Sequence, residues 1–155
     1  MKEKGSSENN SLTPFLRWAG GKRKLVTTLI DAFPAGFNGE KNQFFEPFVG
    51  GGALALALGD KNQKIYVTGK KLRINDLNPD LISTYKVIRD DVVKLMKLID
   101  EISPRKDKKE FENIKKFVPT SDIERAARFL YLNKTCFNGL WRVNSKGEFN
   151  VPYGK

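Results

Sequence analysis

"FFEPFVGGGALALALG", residues 44–59, decides how this chain is read. A short apolar strand, "QFFEPF" at 43–48, reads as buried and runs into Gly50-Gly51-Gly52, and a small-residue helix follows. Strand, glycine turn and helix in that order open an α/β sheet. Glycine lets backbone approach a ligand closely and adopt positive φ. The helix start behind it offers N–H groups without partners. A carboxylate, ribose or phosphate suits such a corner. A glycine turn made only for packing is an equally good reading of this stretch alone. The spacing is not G-x-G-x-x-G, which disfavours a nicotinamide dinucleotide.

Downstream, "KLRIND" (71–76) alternates Leu72 and Ile74 with Arg73 and Asn75 and predicts a second strand. "KIYV" (64–67) is either its hairpin partner or a continuation of it. Asp76 closes that strand about 25 residues beyond the glycines, near where an acidic residue meets ribose hydroxyls in nucleoside-binding sheets. A helix cap ahead of "NPDLIS" would use the same residue. Upstream, "FLRWAGGKRKL" (15–25) sets Trp18 beside two glycines and Lys22. An aromatic face and a cation for a carboxylate are one reading, and a buried Trp before a helix is the other. It is no Walker loop, because Leu16 stands at the first glycine and Arg23 at the Ser/Thr.

Leu25, Leu29, Ile30 and Phe33 predict a short amphipathic helix ending at "PAG". After Pro79 the pattern turns helical in two segments, Leu81, Ile82, Tyr85 and Ile88, then Val92, Leu95, Met96 and Ile99. "SPRKDKKE" (103–110) reads as a charged linker. "SDIE" (121–124) fits a capping box, and Ile123, Ala126, Ala127 and Leu130 form a packing stripe. From Phe137 on, Asn-Gly, Ser-Lys-Gly and Pro breaks predict a loop or hairpin. Two or three strands are visible where a doubly wound domain usually has five or more. The sheet reads as unfinished.

Composition narrows the chemistry. The 155 residues suit one domain with a real core. No apolar run approaches the ~18 residues of a membrane span, and the polar start "MKEKGSSENNSL" has no signal-peptide core, so a cytoplasmic protein with a loose tail is expected. Histidine is absent and cysteine occurs once, at Cys136. That removes Ser/His and Cys/His nucleophile arrangements and makes a transition-metal site an unsuitable reading. Net charge is +10, from 28 Lys and Arg against 18 Asp and Glu. Such a balance suits a polyanion partner and equally a solvated lysine-rich surface. The tail interleaves Lys134, Arg142, Lys146 and Lys155 with Phe137, Trp141, Phe149 and Tyr153, beside Asn138, Asn144 and Asn150. Those are the side chains that read base edges and stack on bases.

Taken in order, "FLRWAGGK", "FFEPFVGGGAL", "INDLNPDLISTY" and "LYLNKTCFNGLWRVNSKGEFNVPYG" resemble the Dam family (D12 class) of DNA adenine-N6 methyltransferases. The resemblance implies an incomplete Rossmann-like sheet binding S-adenosyl-L-methionine, with a helical insertion and a β-hairpin that recognises double-stranded DNA, usually at GATC. It implies a tail at 1–12, a cofactor half at 13–79, and a helical and target-recognition part at 80–155. Trp18, Lys22 and Asp76 would contact the cofactor, Asp76 at the ribose, while Glu46, Pro47, Phe48 and Gly50 shape its methionine side. Arg17 would face DNA beside the target. Arg142 and Pro152 match base-reading positions, with Asn138 and Asn144 among the contacts. Lys134 and Lys155 stand where relatives often have Arg, and Phe137 where an aromatic intrudes into the duplex. Trp141 receives no role.

Asn150-Val151-Pro152-Tyr153 comes within one residue of an Asn-Pro-Pro-Tyr tetrapeptide, yet by the resemblance it belongs to the hairpin. The family's adenine-holding motif, usually Asp-Pro-Pro-Tyr, is expected further along. No two of the seven prolines are adjacent, so the sequence contains no such motif. This implies a chain with cofactor and DNA elements that is inactive alone, complemented by a carboxy-terminal polypeptide or by a second copy. A non-catalytic DNA-binding module derived from such an enzyme is the alternative.

Overall fold

The computed structural model describes residues 12–102 and 107–154. The expected tail at 1–11, part of the linker (103–106) and Lys155 lie outside the described residues. The fold is mixed α/β. Its sheet has two parallel strands, β1 (Phe44–Glu46) and β2 (Leu72–Ile74), paired Phe44 to Leu72 and Glu46 to Ile74. The helices α1 (Val26–Asp31) and α2 (Ala53–Leu58) flank β1 in sequence, and α3 (Pro79–Ile102), α4 (Lys108–Lys116) and α5 (Asp122–Thr135) follow β2.

Period-2 alternation splits the sheet into two unlike faces. Phe44 and Leu72 pack with Ile30, Leu58 and Val67, and Ile74 packs with Leu16, Val49 and Leu81. On the opposite face Phe45 is 61% exposed, so the strand is half-buried rather than buried as its composition suggested. "KIYV" is neither a hairpin partner nor an extension of β2. Its Val67 N–H donates to the Leu58 carbonyl at 2.7 Å. The Tyr66 carbonyl also lies directly over Gly39, where any Cβ would collide with it. Apolar packing under α2, not a ladder, accounts for the apolar residues there.

α3 begins as its sequence dictates. Asn78 caps it through the Leu81 amide (3.1 Å), with Pro79 at the first helical position. The two predicted segments are real, because Asp91 breaks the helix with φ −153° and ψ 60°. Its carboxylate accepts from the Lys94 amide at 3.3 Å and starts the second segment. The charged stretch read as linker instead starts α4, where the Asp107 side chain accepts from the Glu110 amide at 2.8 Å. The Ser121–Glu124 capping box opens α5 as expected. Buried Ala126 and Ala127 let α5 approach α3 around Leu95. Fully buried Phe129, whose ring is worth roughly 3 kcal/mol of apolar burial, joins α5 to the glycine segment through Leu16, Val49 and Ala55. No helix among the described residues is long and apolar enough to cross a membrane.

Candidate functional site

The glycine run forms one wall of a cavity of about 480 Å³, lined also by Trp18, Lys22, Arg23, Glu46, Phe48 and Asp76. Backbone geometry there is fully specified. Gly50 takes φ 49° and Gly52 φ 76°, both left-handed. The Gly50 N–H donates to Asp76 Oδ2 at 2.9 Å, and its carbonyl accepts from the Tyr85 hydroxyl at 3.0 Å. A Cβ on Gly50 would lie 2.7 Å from Trp18 Cδ1, and one on Gly52 would lie 2.6 Å from the Tyr85 hydroxyl oxygen. The glycines thus serve conformation and packing together. They let the Trp18 indole and the Tyr85 phenol close on the turn.

Asp76 is not the helix cap that its position also allowed, and both of its oxygens hold backbone. One oxygen holds Gly50, and the other accepts from the Asn78 amide at 3.0 Å, while the helix cap itself is Asn78. A carboxylate has about four acceptor positions, so capacity remains toward the cavity. Glu46 is less well provided. Its Oε2 is buried and accepts no hydrogen bond from a described residue. Burial pushes its carboxyl up to about 7, against the pull of the Ala55 amide that hydrogen-bonds to it. Burial, then the charges of Glu46 and Asp76, raise the Tyr85 phenol. The Lys22 ammonium is exposed and donates to the Gly20 carbonyl at 2.7 Å. Pro47 is exposed between strand and turn, outside the lining.

A second cavity, about 590 Å³, lies around Arg17, Lys134, Phe137 and Asn138, with Tyr153 and Gly154. Phe137 is 50% exposed there, and Asn138 takes φ 53°, rare for a residue with a side chain. The wall is held by Asn133, which is fully buried. Its Oδ1 accepts from the Arg17 amide (3.0 Å), and its Nδ2 donates to the Arg17 carbonyl (2.8 Å) and the Gly139 carbonyl (3.1 Å). Gly139, at φ 64°, leaves room for the Arg17 side chain, which any Cβ would strike. Consecutive residues Arg17 and Trp18 therefore face two different cavities.

The predicted hairpin forms through bridges Val143 to Phe149 and Cys136 to Tyr153. Pro152 is exposed, and its carbonyl accepts from the Phe137 amide at 2.9 Å. Asn144 is committed to the turn: its Oδ1 accepts from the Lys146 and Glu148 amides, each 3.0 Å, and its Nδ2 donates to Glu148 at 2.8 Å. Arg142 Nε donates to Asn150 Oδ1 at 2.8 Å. Trp141 packs between Phe129 and Phe149, with centroids 4.3 and 4.8 Å away, a core role.

Two residues escaped the sequence reading. Tyr85 marked only a helix face, and Asn133 only the start of the tail. The available signal for Asn133 was its place seven residues beyond Ala126, in register with a buried stripe where a polar residue needs a reason.

With this geometry in view, the relatives take on meaning. Residues 18–155 match the family described as D12 class N6 adenine-specific DNA methyltransferase. This chain belongs to that family. It is 40% identical over 158 residues to the type II methyltransferase M.MjaIII of Methanocaldococcus jannaschii, covering 92% of this chain and 52% of that one. It is 38% identical over 146 residues to a DNA adenine methylase of Haemophilus influenzae, covering 91% and 46%. A DNA N-6-adenine-methyltransferase of Escherichia phage P1 is 36% identical over 143 residues, covering 90% of this chain and 17% of that one. The chain spans about half the length of the first two. Every D12 segment singled out in the sequence falls on one of the two cavities or on the hairpin beside them.

Proposed function

We propose that this D12 chain binds S-adenosyl-L-methionine in the glycine-lined cavity and double-stranded DNA across the Arg17–hairpin face. Its reaction class is methyl transfer to N6 of an adenine turned out of a GATC-type site. One observation carries the reading. Trp18 lines the first cavity and Arg17 the second, so cofactor and target base would meet across a single peptide unit. The cavity volume lies in the range of nucleoside-sized ligand sites. Its lining matches the group: Asp76 has acceptor capacity for ribose hydroxyls, and Trp18, packed close over Gly50 and Gly51, lines the space with an aromatic ring.

When bound, the sulfonium supplies an electrophilic methyl group. The chain's own residues position and exclude. Asp76 fixes the Gly50 turn and would orient the ribose. Lys22 would answer a carboxylate. Phe137 and Asn138, held out by the left-handed turn, would fill the space left by a flipped base, offsetting an unstacking cost of a few kcal/mol. Arg17, Lys134, Lys155 and Arg142 would meet phosphates and base edges, with Pro152 shaping the hairpin's approach.

The sequence holds no D/N-P-P-Y segment to grip the adenine amino group. Alignment of a nucleophile at attack distance supplies ~7–11 kcal/mol of a barrier. The 155-residue polypeptide by itself is therefore expected to bind both partners with little turnover. Phe45 in β1 is exposed, and so are Phe48 (83% exposed) and Leu77 (94% exposed) in the segments that follow the two strands. Apolar side chains so placed suit a covering polypeptide, and we assign that role to a segment equivalent to the relatives' other half.

Calorimetry with S-adenosyl-L-homocysteine tests the cofactor reading. Binding by the wild type and at least tenfold weakening in Asp76→Ala are expected. A folded wild type that takes up none would overturn it. Tritiated-methyl transfer to GATC duplexes, with and without the equivalent segment, tests the second claim. Full turnover by the chain alone would refute it, and a homodimer by light scattering would replace the covering segment with a second copy.

A further inference from the structure

Arg142 is exposed on the hairpin, yet its side chain is held. Its Nε donates to Asn150 Oδ1 at 2.8 Å, and its carbonyl accepts from the Asn150 amide at 3.0 Å. Asn150 is thus joined to Arg142 twice, through side chain and through backbone. The pair also sits on a firm base. Phe149 and Val151, on either side of Asn150, are 5% and 2% exposed and belong to the core around Phe111 and Tyr131. Trp141, next to Arg142, packs on Phe149 with centroids 4.8 Å apart. Alternation along extended chain turns Arg142 and Asn150 together away from that core.

The kind of partner matters. A carboxylate beside a guanidinium takes two of its N–H groups and cancels its charge. Glu148 stands two residues before Asn150, on the same side of the extended chain, but its Oε2 accepts from Asn144 Nδ2 at 2.8 Å. No ion pair ties Arg142 to a described residue. The neutral amide oxygen of Asn150 fixes Nε and leaves the charge whole. It also selects an edge. With Nε occupied, the guanidinium keeps its Nη1–Nη2 end, and neither Nη donates to a described residue. An end-on fork of that kind fits the O6 and N7 acceptors of a guanine in the major groove.

We propose that Asn150 is a positioning residue for sequence recognition: it aims the Nη pair of Arg142 at a guanine edge without neutralising it. The inference rests on the DNA reading of the hairpin face and adds to it a residue and a mode of contact. The effect of Asn150 on base choice passes through Arg142.

Equilibrium binding of the 155-residue chain to labelled duplexes, by fluorescence anisotropy at one fixed salt concentration, tests this. One duplex carries GATC, and each of the others replaces a single base pair of it. Arg142→Ala should lower discrimination at one G·C pair by roughly ten- to a hundredfold. Asn150→Leu, similar in size but without an acceptor, should lower it at the same pair by about tenfold. The other pairs, and the affinity for a scrambled duplex, should stay as in the wild type. Asn150→Asp keeps an acceptor but makes an ion pair, and should lose discrimination at that pair as well. On an Arg142→Ala background, Asn150→Leu should change nothing further there. This last comparison separates aiming from folding, because a residue that only held the hairpin together would weaken every duplex on both backgrounds.

The outcomes separate. If the wild type binds no duplex, or binds GATC no better than a scrambled one, the DNA reading falls and this inference with it. If it prefers GATC and Asn150→Leu keeps full discrimination, or loses it evenly at every pair, the DNA reading stands and the Asn150 assignment is wrong. Loss confined to an A·T pair, or further loss on the Arg142→Ala background, would overturn it too.

Discussion

In this D12 chain the glycine-lined cavity and the cavity at the hairpin base are built on opposite plans. In the glycine-lined one the backbone does the holding. Gly50 has both its peptide groups tied down by Asp76 and Tyr85, and the side chains that line the space keep bonding capacity to offer. At the hairpin the polar side chains do the holding. Asn144 spends its amide on its own turn, and Arg142 turns its Nε to Asn150. Residue types suited to reading bases are therefore not all available for it. Apart from the Nη end of Arg142, the contacts with spare chemistry sit at the base of the hairpin, in the Phe137–Asn138 turn and at Arg17. One buried residue, Asn133, fastens that turn to the segment that also carries Trp18.

This difference is most severely tested at the joint. Asn133→Ala removes the partner of the part-buried Arg17 amide and carbonyl and of the buried Gly139 carbonyl. We expect a loss of about 3 kcal/mol in urea unfolding, with ligand and DNA affinity falling together because both walls loosen. A loss below about 1 kcal/mol would mean the two cavities are not joined here.

Glycine substitutions sharpen the contrast next. Gly50→Ala forces a left-handed φ of 49° on alanine and sets its methyl 2.7 Å from Trp18. Expected is at least a tenfold loss in S-adenosyl-L-homocysteine affinity, on top of roughly 1–2 kcal/mol of strain. Gly147→Ala meets nothing within 4 Å at φ 78°, so it should cost about 1 kcal/mol and leave cofactor affinity unchanged. Equal effects of both on cofactor binding, by calorimetry, would erase the distinction between backbone-built and side-chain-built sites.

How far the sequence foretold this follows the same division. Capping signals and periodicity are local, so the Ser121 box, the break between the two α3 segments and the strand-glycine-helix order could be read directly. "KIYV" misled because an apolar β-branched stretch looks alike whether it pairs in a ladder or packs under a helix. Its fate was decided by Gly39 and Leu58, both distant in sequence from a strand partner. The charged start of α4 was missed because its stabilising Phe111 contacts lie in Tyr131, Phe149 and Val151, elements not yet folded in a linear reading. In the candidate site, spacing alone was enough to single out Asp76 and the glycines, which line one cavity together. The roles of Tyr85 and Asn133 could not be read that way, since each acts on a peptide group brought close only by the tertiary fold.

A smaller effect separates Glu46 from everything at the hairpin. Its carboxyl is raised from an ordinary 4.5 to about 7 in the folded chain. The folded state therefore binds the proton more tightly than the unfolded one, and stability is greatest below 4.5 and falls as pH rises through 7. Glu46→Gln removes that fall. Allowing for the partial exposure of the group, the variant should gain about 1 kcal/mol over wild type at pH 8 and little at pH 4.5, measured by thermal unfolding across that range. A constant difference at all pH values would assign the change to packing instead.

The least effect is expected at the hairpin tip, and it is the most specific for DNA. Lys146 lies exposed in the turn, and its backbone N–H, not its ammonium, is what Asn144 holds. Lys146→Ala should therefore leave folding unchanged. If the hairpin lies along the duplex, one phosphate contact disappears, and the slope of log affinity against log salt becomes shallower by about 1, with the preference for GATC over a scrambled duplex unaltered. Asn144→Ala removes the turn's own bonds and should weaken binding with no such fixed change in slope. An unchanged slope in Lys146→Ala would lift the hairpin tip off the DNA. Arg17, Lys134 and the Phe137 turn would then carry the contact, leaving the base of the hairpin rather than its tip as the part that meets the duplex.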